Sequence, residues 1–189
     1  MSITLNELPI EIIRSNRRTI SIEIKPSNII IRAPRRMSSQ EISAFVLKKK
    51  AWIEKHWSQM QERQRMRNQF GPYTTEELKA LAEKAFVVIP EKVKHYAPLV
   101  GVDYGRITIR NQRTRWGSCS SKGNLNFNCL LMLLPDDVID SVVVHELCHR
   151  KHMNHSPQFY AEVERVYPEY KRYDKWLSEN GGVYLSRLP

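Results

Sequence analysis

Two observations predict an α+β fold for this chain of 189 residues. Short β-branched runs fall in two places, residues 10–32 and 106–128, and the segments between and after them begin with helix-start signals. In the first group, Ile10 to Arg14 and Arg18 to Ile24 are apolar, with alternation in TISIEI. Ser15-Asn16-Arg17 between them reads as a hairpin turn. A third strand, Asn28 to Arg32, is closed by Pro34. Ser38-Ser39-Gln40-Glu41 is a capping box, and the apolar spacing from Ile42 to Met60 predicts a long helix running to about Arg65. Asn68 to Tyr73 contains Gly-Pro and reads as a linker. The expected organisation is a basic strand-and-helix lobe over residues 1–70, then a second domain over 71–189.

In the second part, Thr74-Thr75-Glu76-Glu77 opens another helix, which Pro90 should kink or split and which should fade near Gly101. Arg106 to Arg110, Trp116 to Cys119 and Asn124 to Asn128 read as strands, the last two joined through Ser120-Ser121-Lys122-Gly123. Pro135-Asp136-Asp137 places a proline and two acids in the first turn of a helix. Ser156-Pro157 starts the next helix, and a last one runs from Pro168 to about Asn180-Gly181-Gly182.

The formal charge is +10 and it is unevenly placed. Residues 1–70 carry 14 Lys and Arg against 6 Asp and Glu, whereas residues 71–189 carry 16 against 14. A basic lobe beside a near-neutral one suggests an anionic partner, nucleic acid first, although a solvated basic surface has the same composition. No run approaches the roughly 18 apolar residues of a membrane span, so no membrane partner is expected. The start, MSITLNELPIEIIRS, lacks the basic and apolar regions of a signal peptide. Three scattered cysteines do not describe a disulfide framework, and a reducing cytoplasm is the expected location.

Four of the six histidines crowd into VVVHELCHRKHMNHSPQFY, residues 142–160. HELCH is an HExxH pattern. On a helix, His145 and His149 lie on one face, one turn apart, where both imidazoles can grip one metal ion. Glu146 is turned away from that axis but can reach a metal-bound water and take its proton. A catalytic zinc has three protein ligands and an open position, and His155, just beyond the helix end, is the candidate third. His152 reads as a polar helix-end residue. Cys148, about 100° around the helix from His149, reads as a small core residue.

RTRWGSCSSKGNLNFN, then VVVHELCHRKHMNHSPQFY, then YPEYKRYDKWL resemble the YgjP-like metallopeptidase family, related to the Wss1-like and SprT-like zinc proteases. RRTISIEIKPSNIIIRAPRRM is similar to that family's opening strands. The resemblance implies a zincin-like, minimal gluzincin-type core built from the HExxH helix and a small antiparallel sheet. It implies Zn2+ on His145, His149 and His155, Glu146 as catalytic base, and a protein or peptide substrate. Relatives in the wider group cut proteins bound or crosslinked to DNA, which extends to this chain by analogy alone.

Arg115 and Trp116 can line the metal cleft, stack on a base, or serve the core. Asn126 belongs to the strand Asn124 to Asn128, expected as an edge that receives an extended substrate. Tyr160, Tyr167, Tyr170, Tyr173 and Arg115 are all open as stabilisers of the oxyanion. Two other readings stand beside the peptidase: a nucleic-acid-binding protein with a structural zinc, and a metal-dependent hydrolase of a non-peptide amide.

Overall fold

A computed structural model describes residues 8–189, so the first seven residues of the segment read for a signal peptide lie outside the described residues. The α+β class holds. The described residues form two compact units, which divide between Gln69 and Phe70.

The first unit begins with β1 (Ile10–Ser15), β2 (Ser21–Ile24) and β3 (Ile29–Pro34). Their order is β1-β3-β2. The expected hairpin at Ser15–Arg17 is absent, because β1 pairs with β3 in parallel, from Ile10↔Ile29 to Ser15↔Pro34. The hairpin is β2–β3, closed by the Lys25 amide donating to the Asn28 carbonyl at 2.9 Å. The IIIRAP run of β3 is the most apolar of the three segments, and it takes the central position with neighbours on both edges. Helix α1 (Ser39–Lys48) follows, with the Ser38 and Glu41 capping box formed as expected. The expected single helix is two: the Lys49 amide is shared between the Phe45 and Val46 carbonyls, and α2 (Lys50–Phe70) starts beyond it. Ile29, Ile31, Ala33, Ile42, Val46 and Ile53 close a small core.

In the second unit, α3 (Thr75–Val100) opens on the Thr74 and Glu77 capping box and ends at left-handed Gly101, φ 77°. Contrary to expectation, Pro90 does not split it. The carbonyl that Pro90 cannot serve is that of Phe86, which sits on the exposed side of the helix where water can satisfy it. Strands β4 (Ile107–Arg110), β5 (Gly117–Cys119) and β6 (Leu125–Asn128) follow in the order β4-β6-β5. The sheet is mixed rather than antiparallel: β4 is parallel to β6, and β5 antiparallel to it. The strand Asn124 to Asn128 is therefore central, not the expected edge, since both of its sides are occupied by other strands. The edge strands are β4 and β5.

A 3-10 turn (Cys129–Leu133), capped by the Asn128 side chain, leads into α4 (Asp136–Cys148). Lys92 of α3 ties the start of α4 by reaching Asp136 at 2.8 Å and Asp140 at 2.6 Å. Burial pulls the Lys92 ammonium down, but the two carboxylates outweigh it and hold its pKa above the ordinary value. Val138, Val142, Val143, Val144, Leu147 and Cys148 are all buried, so α4 is packed on most of its circumference. Helices α5 (Pro157–Val166) and α6 (Tyr170–Leu185) complete the unit. Helix α6 does not stop at Asn180-Gly181-Gly182. Gly181 is a packing glycine: a Cβ there would come within 3.0 Å of Trp116 Nε1. No helix among the described residues is long and apolar enough to cross a membrane.

Candidate active site

The last turn of α4 carries His145 and Glu146, and His149 caps its end. The chain then reverses and Ser156 caps α5, its hydroxyl accepting from the Phe159 amide at 3.3 Å. That cap fixes the residue before it, His155. The result brings three imidazoles together. His145 Nε2 lies 3.2 Å from His149 Nε2 and 3.1 Å from His155 Nε2. One ligand atom from each falls within 4.8 Å of the other two, the only such group among the described residues.

The protons suit this group to hold a metal ion in chemistry as well as in shape. His149 Nδ1 is 3.0 Å from the His152 carbonyl, which can only accept, so Nδ1 carries the hydrogen and Nε2 a lone pair. His145 Nδ1 faces the Tyr170 hydroxyl at 2.8 Å, and that hydroxyl donates onward to Asp174 Oδ1 at 3.3 Å. His145 Nδ1 therefore donates as well, and its Nε2 lone pair also points inward. Burial, with His149 and His155 adding to it, lowers the His145 pKa to about 3, and burial lowers that of His149. Both rings are neutral, as a metal ligand must be. Two lone pairs facing each other at 3.2 Å repel unless a cation lies between them. Three nitrogens at about 2.0–2.1 Å from a tetrahedral ion stand about 3.3–3.4 Å apart, close to the spacings found.

Phe159 is the platform under this group and was not legible as a site residue. It is fully buried, stacks on His149 at 4.6 Å between ring centres, and meets His145 and His155 edge-on at 4.9 and 5.0 Å.

Glu146 is 5 % exposed, and its Oε2 finds no hydrogen-bond partner among the described residues. A buried carboxylate oxygen left without a partner is rare and marks a working group. Burial pushes its pKa up to about 8, while the Arg115 guanidinium opposes the shift. A cation held by the histidines would draw it down again. Gly117 makes room for this carboxylate: a Cβ there would lie 2.6 Å from Glu146 Oε1 and 2.7 Å from Cγ. The Trp-Gly pair thus has two functions, which neither composition nor spacing separates.

A cavity of about 170 Å3 opens beside Glu146, walled by Trp116, Gly117, Val142, His145, Tyr170 and Leu177. Trp116 is therefore beside the site, and Arg115 is exposed just before β5. Asn126 stands on central β6, its amide donating to Ser118 Oγ at 3.2 Å and accepting from Arg110 Nε at 3.4 Å. The ring of His152 is outside the histidine group, and Cys148 is fully buried, as the helix geometry required. The tyrosines also sort themselves. Tyr167 and Tyr173 donate to Asp137, and Tyr170 is engaged with His145 and Asp174. Tyr160 remains, exposed, with its ring 6.2 Å from that of His155.

No curated protein matches the chain. Among solved structures it is similar to the metallopeptidase zymogen of Pyrococcus abyssi abylysin. The identity is 24%, the TM-score 0.45, and the match covers 50% of this chain and 96% of that one. It is also similar to the metallopeptidase zymogen of Methanocaldococcus jannaschii jannalysin, at 18% identity and a TM-score of 0.43, over 48% of this chain and 93% of that one. The YgjP-like, metallopeptidase domain family matches residues 18–80 and 74–180, which include the histidine group and the Trp-Gly segment. The chain belongs to the YgjP-like metallopeptidase family, and is a metal-dependent hydrolase of protein or peptide substrates.

Proposed function

We propose that the ion is zinc, held by His145, His149 and His155, and that Glu146 is the general base of peptide hydrolysis. The observation that carries this reading is the buried Glu146 carboxyl, its Oε2 without a hydrogen-bond partner, next in sequence to His145 of the His145, His149 and His155 group. A three-imidazole set favours zinc among the divalent ions, and the bound ion supplies an acidified water and a Lewis acid for the carbonyl. Glu146 takes a proton from the attacking water as its oxygen adds to the peptide carbonyl. It then returns that proton to the amide nitrogen as the C–N bond breaks. The Arg115 charge favours the ionised form of the base.

The substrate main chain runs along β5, an edge strand whose Gly117 touches Glu146. Arg115 and Trp116 flank that path, and Asn126 supports the strand through its bond to Ser118. One side chain of the substrate enters the cavity walled by Trp116, Val142 and Leu177. Tyr160 is the tyrosine with a hydroxyl available for the developing oxyanion.

Glu146→Gln tests the assignment with an unfolded protein as substrate. It should lower kcat at least ~10²–10⁴-fold, the ordinary scale of general-base loss, while zinc stays at one per chain. Retained hydrolysis, or zinc lost with the carboxylate, would contradict the role.

A further inference from the structure

The first unit holds a second site that peptide hydrolysis does not use. Parallel pairing of β1 with β3 ends at Ser15↔Pro34, so both strands leave the sheet at the same end. The residues that follow each strand meet there. They form a pocket of about 310 Å3 whose lining includes Ser15, Asn16, Arg17, Arg18, Arg35 and Arg36. Four arginines and no acid line it.

Two other arginines of this unit have carboxylate partners: Arg32 meets Glu23 at 3.0 Å and Arg65 meets Glu62 at 2.8 Å. Arg17, Arg18, Arg35 and Arg36 make no ion pair among the described residues. Arg17 goes further, because its Nε is shielded from solvent and has no hydrogen-bond partner. A guanidinium presents five donors in a planar fork, and a shielded donor left unmet is unfavourable. The cluster is also held in place. Arg14 donates to the carbonyls of Pro34 at 3.5 Å and Arg35 at 3.4 Å, to that of Met37, and to Ser39 Oγ at 3.4 Å. The Arg35 amide donates to the Ser15 carbonyl at 3.1 Å, joining the two loops. Like charges gathered on two joined loops without counter-ions, one of them with an unmet Nε, describe a receptor for oxyanions.

We propose that this pocket binds phosphate groups, and that they belong to the phosphodiester backbone of a nucleic acid. The volume is several times the ~30 Å3 share of one water, which suits successive phosphates better than a single small ion. The whole unit shares the sign, with 14 basic against 6 acidic residues over positions 1–70. The proposal is independent of the peptidase reading, since its readout is binding alone.

The test uses the full chain and a fluorescent 20-nucleotide oligo-dT, titrated by anisotropy across a salt series. Each phosphate contact adds about −0.7 to the slope of log K against log salt, so three to four contacts give a slope of about −2 to −3. The triple variant R18A/R35A/R36A removes exposed side chains and should keep its melting temperature. It should bind at least 10-fold more weakly with a shallower slope. A charge-matched variant, K48A/K49A/K50A, should lose less than 3-fold. Arg17→Lys keeps the charge and loses the fork, and should also weaken binding. No binding by the wild type at 50 mM salt, or equal losses from the arginine and lysine variants, would overturn the proposal. Tripolyphosphate binding more tightly than the oligonucleotide would overturn the backbone as the source of the phosphates.

Discussion

The two units carry the same sheet plan. In each, the first strand is parallel to the third, the second is antiparallel to it, and the third is central: β1-β3-β2 and β4-β6-β5. No internal sequence repeat accompanies this: the central strands are IIIRAP in one unit and LNFN in the other. What differs is the packing that follows. In the first unit a short capped helix closes a small core of isoleucines with Ala33 and Val46. In the second, an extensive core surrounds α4 and presses a strand against the site. The same frame therefore exposes loops in one unit and immobilises chemistry in the other. The histidine group depends on dense packing around one helix end and not on sheet topology alone.

The sharpest way to break the comparison is to loosen that packing. Phe159→Ala removes the ring beneath all three histidines and leaves a cavity in a fully buried position. We expect a loss of about 3–5 kcal/mol in stability, together with weaker metal binding. Chemical denaturation with and without added zinc measures both. A smaller effect is expected from Gly117→Ala, which places a methyl against the Glu146 carboxyl. The carboxylate must shift, and kcat should fall roughly 10–100-fold, about 1.4–2.7 kcal/mol in the barrier, with zinc content unchanged. Wild-type turnover would show that the strand can yield, against the rigidity argued for this unit.

The smallest effect contrasts two ion pairs. Glu162, mostly buried, accepts from Arg165 and Lys151 at 2.8 and 2.7 Å, and the Arg165 bond first, then Lys151, lowers its pKa from the ordinary 4.5 to about 2. A folded-state value below the unfolded one means that the stabilisation is full above about pH 4.5 and is lost as pH falls towards 2. Glu162→Gln should cost about 1–2 kcal/mol at pH 7, discounted for its half-exposed partners, and nothing near pH 2. In the first unit, the Glu62–Arg65 pair is at the surface. Glu62→Gln should leave the melting temperature unchanged. Thermal melts from pH 2 to pH 7 compare the two variants.

Much of the site was legible because it depends on local spacing. HExxH on a helix places two imidazoles together whatever the rest of the chain does, and Ser156-Pro157 dictates a helix start that fixes His155. Cys148 was legible for the same reason. What escaped depends on contacts distant in sequence. The β1–β3 pairing skips a neighbouring strand, so a local turn at Ser15–Arg17 was the natural but mistaken expectation. Gly181 looked like a helix stop, yet it is there to admit Trp116, 65 positions earlier in the chain. Phe159 and Gly117 gain their roles only when α5 and β5 fold back on α4. The turn of α3 that contains Pro90 was misread because the exposure that rescues a lost hydrogen bond is a tertiary property.

The central claim is that three particular histidines hold the metal. Zinc per chain, measured by mass spectrometry on the purified wild type and on His145→Ala, His149→Ala, His155→Ala and His152→Ala, tests it most directly. The account predicts one zinc in the wild type and in His152→Ala, and loss of tight binding in each of the other three. Zinc retained by any of those three, or lost from His152→Ala while the fold persists, would contradict it.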